Sequence, residues 1–244
     1  MRFNGLDPRT VSPKCFVSHE VIGAIPQREV RTVQTGSGSL VAGVDLMKRE
    51  IHLFLNFAGA SHENANLMAS KIASFFCTDT PGEYEPTHMP GRAFSAILRE
   101  AGDMEWRWGF GTVEYTFIAP RPFSHSLAET VVDLTGHVIR IEPRGDVPAR
   151  PVLTHTMSEA ASSLIYSIGG NDFFKLRDPS GNAIQAGTTI AVDFEQRRVR
   201  VNGTTDMTYV DYTASDWHPQ IVGGTRIYCS DAGMTEARWR DEWM

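Results

Sequence analysis

From Arg49 to Gly59 the chain reads REIHLFLNFAG, and Ile51, Leu53, Leu55 and Phe57 fall on one face of a period-two pattern. That regularity predicts a strand in the centre of its sheet. The pattern then changes period. In SHENANLMASKIASFF (61–76), Ala65, Met68, Ile72 and Phe75 are spaced to form one apolar stripe of a helix. Ser61 is placed to cap it, Glu63 suits the positive end of the helix dipole, and Thr80, Pro81 and Gly82 end it. Strand patterns follow. Trp106, Trp108 and Phe110 share one parity and Val113, Tyr115 and Phe117 the other, so a bulge or tight turn is expected across Gly109–Gly111. Pro120 and Pro122 cannot donate to a ladder, so this strand must stop by about Ala119.

The first 58 residues otherwise read as strands and turns, with QTGSGSL (34–40) as a flexible loop whose ordering is costly. Beyond the prolines the helical period is absent. GHVIRI (136–141), SSLIYSI, DFFKLRD, TTIAVDF, RRVRVNG and RIYCS are short strand patterns, separated by the turn sequences GGND, DPSGN and VNGTT. Their even spacing predicts a β-sandwich or jelly roll. Composition alone would divide the chain at the proline-rich EPRGDVPARP (142–151).

A length of 244 residues, 41% hydrophobic and 21% charged, suits one large or two smaller globular domains. The net charge of −6 disfavours a nucleic-acid binder, and QRRVRV (196–201) reads as a solvated strand edge with Arg198 and Arg200 on one face. No apolar run approaches a membrane span, and MRFNGLDPRT lacks the apolar core of a signal peptide. Cys15, Cys77 and Cys229 are widely separated, which predicts reduced, buried thiols.

Candidate chemistry is sparse. The eight histidines (19, 52, 62, 88, 125, 137, 155 and 218) show no ligand spacing, so no metal site is expected. Ser124, His125 and Ser126 are mere sequence neighbours, no GxSxG elbow is present, and GSGS (36–39) lacks the Lys-Ser/Thr of a phosphate loop. Asp193 and Glu195 would lie about 7 Å apart on one strand face, within reach of glycosidase geometry, although such a pair beside a hairpin turn reads more simply as a solvated edge. The RGD at 144–146 is three common residues in a turn. Trp106 with Trp108, and Trp239 with Trp243, could pair indoles for sugar stacking, but core or interface is the commoner fate of tryptophan.

The order of features carries more than any one residue. FNGLD opens the chain, a Gly-rich loop precedes the REIHLFLNF strand, one helix follows, a strand closes in FIAPRPF, and a helix-free region contains VDFEQRRVRVNG. This order resembles that of the distal tail proteins of siphoviruses, over essentially the whole chain. The resemblance implies a mainly β protein with one α-helix: an N-terminal β-barrel-like or split-barrel domain over 1–127, containing the helix, and a C-terminal galectin-like β-sandwich over 128–244. On that template the prolines of 142–151 lie inside the sandwich, which moves the boundary back to about 127.

The resemblance also implies a role. Such proteins are structural, not enzymes, and have no catalytic, cofactor-binding or metal-binding residues and no cofactor. They form a homo-hexameric ring through the first domain, which joins the tail tube protein to the tail-tip hub (the tail-associated protein) and encloses the DNA exit channel. Tape-measure, receptor-binding and side-fibre proteins are further expected partners, with no specific nucleic-acid binding and no membrane insertion. The expected location is the virion tail tip, after assembly in the host cytoplasm. The loop at 34–40 is then expected to be ordered by neighbouring subunits. Two other readings are a carbohydrate-binding adhesin with Trp217 or Trp239 as its platform, and an enzyme acting through Asp193 and Glu195. WRWG lies in the wrong domain for a galectin motif.

Overall fold

The computed structural model describes residues 1–23, 26, 28–35, 38–107 and 110–244. In chain order it contains β1 (Arg2–Phe3), β2 (Cys15–Ile22), β3 (Arg28–Thr35), β4 (Gly38–Leu46), β5 (Arg49–Ala58), α1 (His62–Phe76), β6 (Gly82–Glu85), β7 (Arg92–Ala101), β8 (Glu105–Arg107), β9 (Phe110–Ala119) and β10 (Ser124–Ser126). There follow β11 (Thr130–Thr135), β12 (Val138–Ile141), β13 (Val152–Thr156), β14 (Leu164–Ile168), β15 (Asn171–Leu176), β16 (Thr189–Asp193), β17 (Arg198–Val201), β18 (Thr204–Thr205), β19 (Thr225–Cys229) and β20 (Met234–Trp239). The protein is mostly β, with one α-helix among the described residues. It divides into two compact units, residues 1–127 and 128–243.

In the first unit the strands run β1-β6-β7-β9-β5-β2, with β8 added to β9 and β10 to β7. The sheet has two ends, and no closed barrel is seen among the described residues. β5 is paired along its whole length with β9, from Arg49 opposite Ala119 to Ala58 opposite Phe110, and on its other side with β2. Its alternation is therefore that of a central strand. Ile51, Leu53, Leu55 and Phe57 are fully buried, facing Val113, Tyr115 and Phe117 of β9 and the helix. β9 ends at Ala119, where Pro120 removes the next donor.

Ser61 caps α1, its hydroxyl accepting from Asn64 N–H at 3.2 Å. The buried stripe is Ala65, Ala69, Ile72 and Phe76; Met68 and Phe75, expected at its centre, lie at its flank. A rotation of one position lets two alanines bring the helix close to the sheet. The Tyr115 hydroxyl can then reach the Ala69 carbonyl (2.9 Å), and Phe76 packs edge-on against Tyr115 and Phe117. Ile72→Asp would place an unpaired charge at a fully buried position, and the first unit should lose several kcal/mol, on the order of 3–5. Thermal unfolding checks this; an unchanged melting temperature would mean that the stripe is not buried.

The QTGSGSL segment is largely strand rather than loop. β3 continues to Thr35 and β4 starts at Gly38; Ser37 and Gly36 lie outside the described residues. The described parts of 34–40 are the ends of two paired strands of eight and nine residues, with Thr35 opposite Gly38. The expected bulge or turn at 109–111 also falls partly outside the described residues, with Trp108 and Gly109. β8 and β9 pair on either side of it, with Arg107 opposite Phe110.

The second unit has a six-stranded sheet, β11-β20-β13-β16-β17-β18, and a four-stranded sheet, β12-β19-β14-β15. One core of inward side chains from both sheets joins them, including Ile139, Leu153, Tyr166, Phe174, Ile190 and Ile227. Arg198 and Arg200 are exposed on one face of β17, as the alternation predicts. Cys15 and Cys229 are buried, but Cys77, just past the helix, is exposed, which corrects the expectation that all three thiols are covered.

Candidate functional site

Two features stand out physically: a hairpin that forms a sheet of its own with exposed apolar side chains, and a charged group sealed in a core. β3 and β4 form a two-stranded sheet of their own, with a register shift at Arg31/Thr32. Thr32 pairs with Val41 on one face and Val33 with Leu40 on the other, so both faces carry apolar groups. Val30 is 54% exposed, Val33 56%, and Leu40 and Val41 64% each. The hairpin's own polar cross-link is Arg31 to Asp45, at 2.8 Å and solvent-exposed. An isolated hairpin is marginal in water, and exposed valines and leucines gain nothing there. Among the described residues no strand pairs with the outer edge of β2, which carries exposed Phe16 and Val21. Phe16 meets exposed Phe110 edge-on at 6.1 Å.

The buried centre lies in the second unit. His155 on β13 is fully buried and points inward with Leu153. Its Nε2 is 2.8 Å from Asp231 Oδ2 and its Nδ1 is 2.7 Å from Thr235 Oγ1. Asp231 is ionised, so Nε2–H donates to it and Nδ1 accepts the threonine proton. The backbone N–H groups of Ser158 and Gly233 also donate to Asp231 Oδ2 at 2.8 Å, and the Ser158 hydroxyl donates to Oδ1. Gly233 is required there, because a Cβ would stand 1.9 Å from the Thr156 carbonyl oxygen. Cys229 Sγ lies 3.7 Å from His155 Nδ1, and burial pushes this thiol up to about 11.

Burial disfavours charge on His155 and holds its pKa below 6.5, with Asp231 opposing only in part. Burial also works against the Asp231 carboxylate, but the hydrogen bonds from Ser158, His155 and Gly233 outweigh it and hold its pKa below 3.8. Both folded values are depressed, so both groups contribute stability that is present at neutral pH and lost on acidification. His155 gives way as pH falls through its folded value below 6.5, and Asp231 further down, below 3.8. The second unit should therefore melt at progressively lower temperature below about pH 6, and a His155→Gln chain should lose the upper part of that slope. Melting curves across pH check this; equal slopes in both chains would exclude His155 as the titrating group. With His155 and Thr235 sealed from solvent, the cluster has no approach for a substrate and acts as an internal tie.

The residues singled out from sequence are not brought together. Asp193 ends β16 and its Oδ1 accepts from the N–H groups of Glu195 (3.0 Å) and Gln196 (2.8 Å). Glu195 lies in the turn, so the two carboxylates do not share a strand face, and Asp193 is a turn cap. Trp217 packs edge-on against Phe174, ring centres 4.7 Å apart, and beside Phe194. Trp239 is 4% exposed with its Nε1–H donating to Asp241, and Trp243 lies in a separate two-residue strand. Trp239 is buried and presents no open face for a sugar, whereas Trp217 is partly buried against the core. Trp106 is half-buried, edge-on to His62; Trp108 is outside the described residues. In the RGD turn Gly145 is pressed against Glu242, where a Cβ would meet the carbonyl oxygen at 1.9 Å, and Arg144 N–H is held by Asp241. Among the described residues no group of three or more His, Cys, Asp or Glu could hold a metal ion, and no helix is long and apolar enough to cross a membrane.

Sequence reasoning missed the His155–Asp231 tie, whose members are 76 residues apart, and read 34–40, where β3 ends and β4 begins, as a flexible loop. The β-branched residues Val30, Thr32 and Val33 were the signal available for the hairpin, with the period-two pattern broken by the register shift at Arg31/Thr32; nothing local marked the tie.

Comparison with known proteins adds three findings. Residues 144–243 match the family model of the C-terminal domain of siphovirus-type tail components. The fold of the whole chain is similar to that of the Dit (gp 19.1) protein of phage SPP1, described as a paradigm of the hub adsorption apparatus in phages infecting Gram-positive bacteria. The TM-score is 0.80 over 99% of this chain and 98% of that one, at 15% identity. The baseplate of phage p2 in its activated conformation with Sr gives a TM-score of 0.48 at 11% identity, over 93% of this chain and 90% of that chain. No curated protein sequence matches the chain.

Proposed function

On the premise that this chain is a siphovirus-type tail component, as residues 144–243 and the overall fold indicate, we propose that it is the distal tail protein of its virion. Six copies form a ring that continues the tail tube, receives the tail-tip hub, and encloses the channel through which DNA leaves. Residues 1–127 build the ring and residues 128–244 face outward to carry receptor-binding or side-fibre proteins. The tape-measure protein ends at this ring, the subunits assemble in the host cytoplasm, and the role is structural, without catalysis.

The β3–β4 hairpin is the observation that carries this reading. A chain that exposes valines and a leucine on both faces of an unsupported hairpin has a surface that requires another subunit. Hairpin and free β2 edge are different surfaces on one unit, and contact between two different surfaces is heterologous, the kind that generates a ring when the rotation closes. The net charge of −6 fits a channel wall that lets DNA slide without holding it.

Electron microscopy of assembled tails tests the proposal. Six copies around the axis at the distal end of the tube, with residues 128–244 on the outside, are expected. Another copy number, or residues 128–244 lining the lumen, would overturn it.

A further inference from the structure

Arg49 breaks the pattern of the strand it begins. It continues the face of Ile51, Leu53, Leu55 and Phe57, and pairs across the sheet with buried Ala119. The residue is 3% exposed, its guanidinium carbon lies 5.4 Å from the centre of the Phe94 ring, and its Nε and Nη2 atoms are buried with no hydrogen-bond partner. A cation over an aromatic face gains something from the ring, but its in-plane donors are not served by that contact. Leaving charged donors unpaired out of water is costly, and among the described residues only the Phe94 ring offsets part of that cost.

The two unpaired atoms form one edge of the guanidinium fork. Elsewhere in this chain that same edge grips carboxylates. Arg9 donates from Nε and Nη2 to both oxygens of Asp7, at 3.0 and 2.5 Å, and Arg238 uses the same two atoms on Glu236. In Arg49 the residue is held in the strand and its guanidinium carbon lies beside Phe94, so the edge left without a partner is Nε–Nη2, which is covered in the isolated subunit. That is the geometry for a bidentate carboxylate.

The geometry points to Arg49 as a binding site for a carboxylate side chain brought by a second copy of this chain when subunits associate. The inference rests on the ring reading above. A second copy is the favoured source because acidic residues exceed basic ones, 29 against 23, and because Arg49 lies directly beyond β4, at the base of the hairpin that needs a neighbour. The subunit carries an unfavourable group until a neighbour completes it, so association itself relieves the strain. The buried edge becomes reachable only as side chains around it shift on contact, which makes the site specific to the assembled state.

The test uses the purified full chain and two variants, Arg49→Met and Arg49→Lys, with thermal melting of the free subunit and particle mass against concentration. Arg49→Met should melt no lower than the unaltered chain, since it removes an unpaired buried cation. It should weaken self-association by about tenfold or more. Arg49→Lys, charged but without the fork, should weaken association similarly. An Arg49→Met chain that associates normally would overturn the inference and leave the ring reading standing, and so would one that melts well below the unaltered subunit. Stabilisation of the free unaltered chain by acetate, absent in Arg49→Met, would show that the site takes small anions instead and would overturn the second copy as its source. An unaltered chain that never self-associates, at any concentration or with tail-tube subunits added, would bring down both.

Discussion

With Leu40 and Val41 both replaced by aspartate, the proposed ring should no longer form, while the free subunit melts within about 2 °C of the unaltered chain. Each of these side chains is nearly two-thirds exposed, so neither contributes appreciable burial to its own subunit. Buried against a neighbour, an apolar side chain of this size is worth about 1.5–3 kcal/mol. Replacing it with a charge also adds a desolvation cost. Two such losses at each interface of the proposed ring amount to about a hundredfold or more in each association step. Particle mass and melting temperature on the same preparations check this. A large fall in melting temperature would show that the hairpin packs on its own chain, and unchanged rings would remove it from the interface.

The second large effect concerns the buried tie. Asp231→Ala should destabilise the second unit by about 3–5 kcal/mol. One carboxylate serves Ser158 N–H, the Ser158 hydroxyl, Gly233 N–H and His155 Nε2, and its removal strands the buried His155 and Gly233 donors, whereas those of exposed Ser158 can turn to water. Asp231→Asn keeps the shape but loses the charge, and its amide nitrogen would face donors, so it should recover only part of the loss. Denaturant unfolding followed by Trp217 and Trp239 fluorescence gives the comparison. A cost below about 1 kcal/mol for Asp231→Ala would mean that the donors find other partners.

The legible and illegible parts of this protein differ in range along the chain. β5 could be read because Ile51, Leu53, Leu55 and Phe57 report on a single pleated surface within nine residues of sequence. The cap Ser61 and the stop after Phe76 are likewise local. Only the phase of the helix stripe was misjudged, because Ala65 and Ala69 permit close approach to the sheet and the larger Met68 and Phe75 do not. The hairpin was obscured by its turn. Gly and Ser suit a flexible loop and a tight hairpin equally, and the exposed valines around them do not mark a core. Asp193 was legible as a turn residue but not as one already engaged by Gln196 N–H. The His155–Asp231 tie is set by which strands become neighbours, since β13 and β20 pair across most of the second unit. No spacing rule encodes that.

The hairpin has one consequence in time as well as in space. Its two strands are joined by a short turn, whereas β5 must wait for β9, some fifty residues later, to complete its pairing. Local pairs form in microseconds and long-range sheet contacts are slower. On the ribosome the arm can therefore form before the platform that bears it, with its apolar faces bare on every nascent chain. Polysomes hold many such chains close together, so newly made subunits start with matching sticky arms in high local concentration. The Arg31–Asp45 ion pair, on the solvent-facing surface of the arm, supplies charge that limits premature clumping. Synthesis rate, and not affinity alone, then helps decide what these arms meet first.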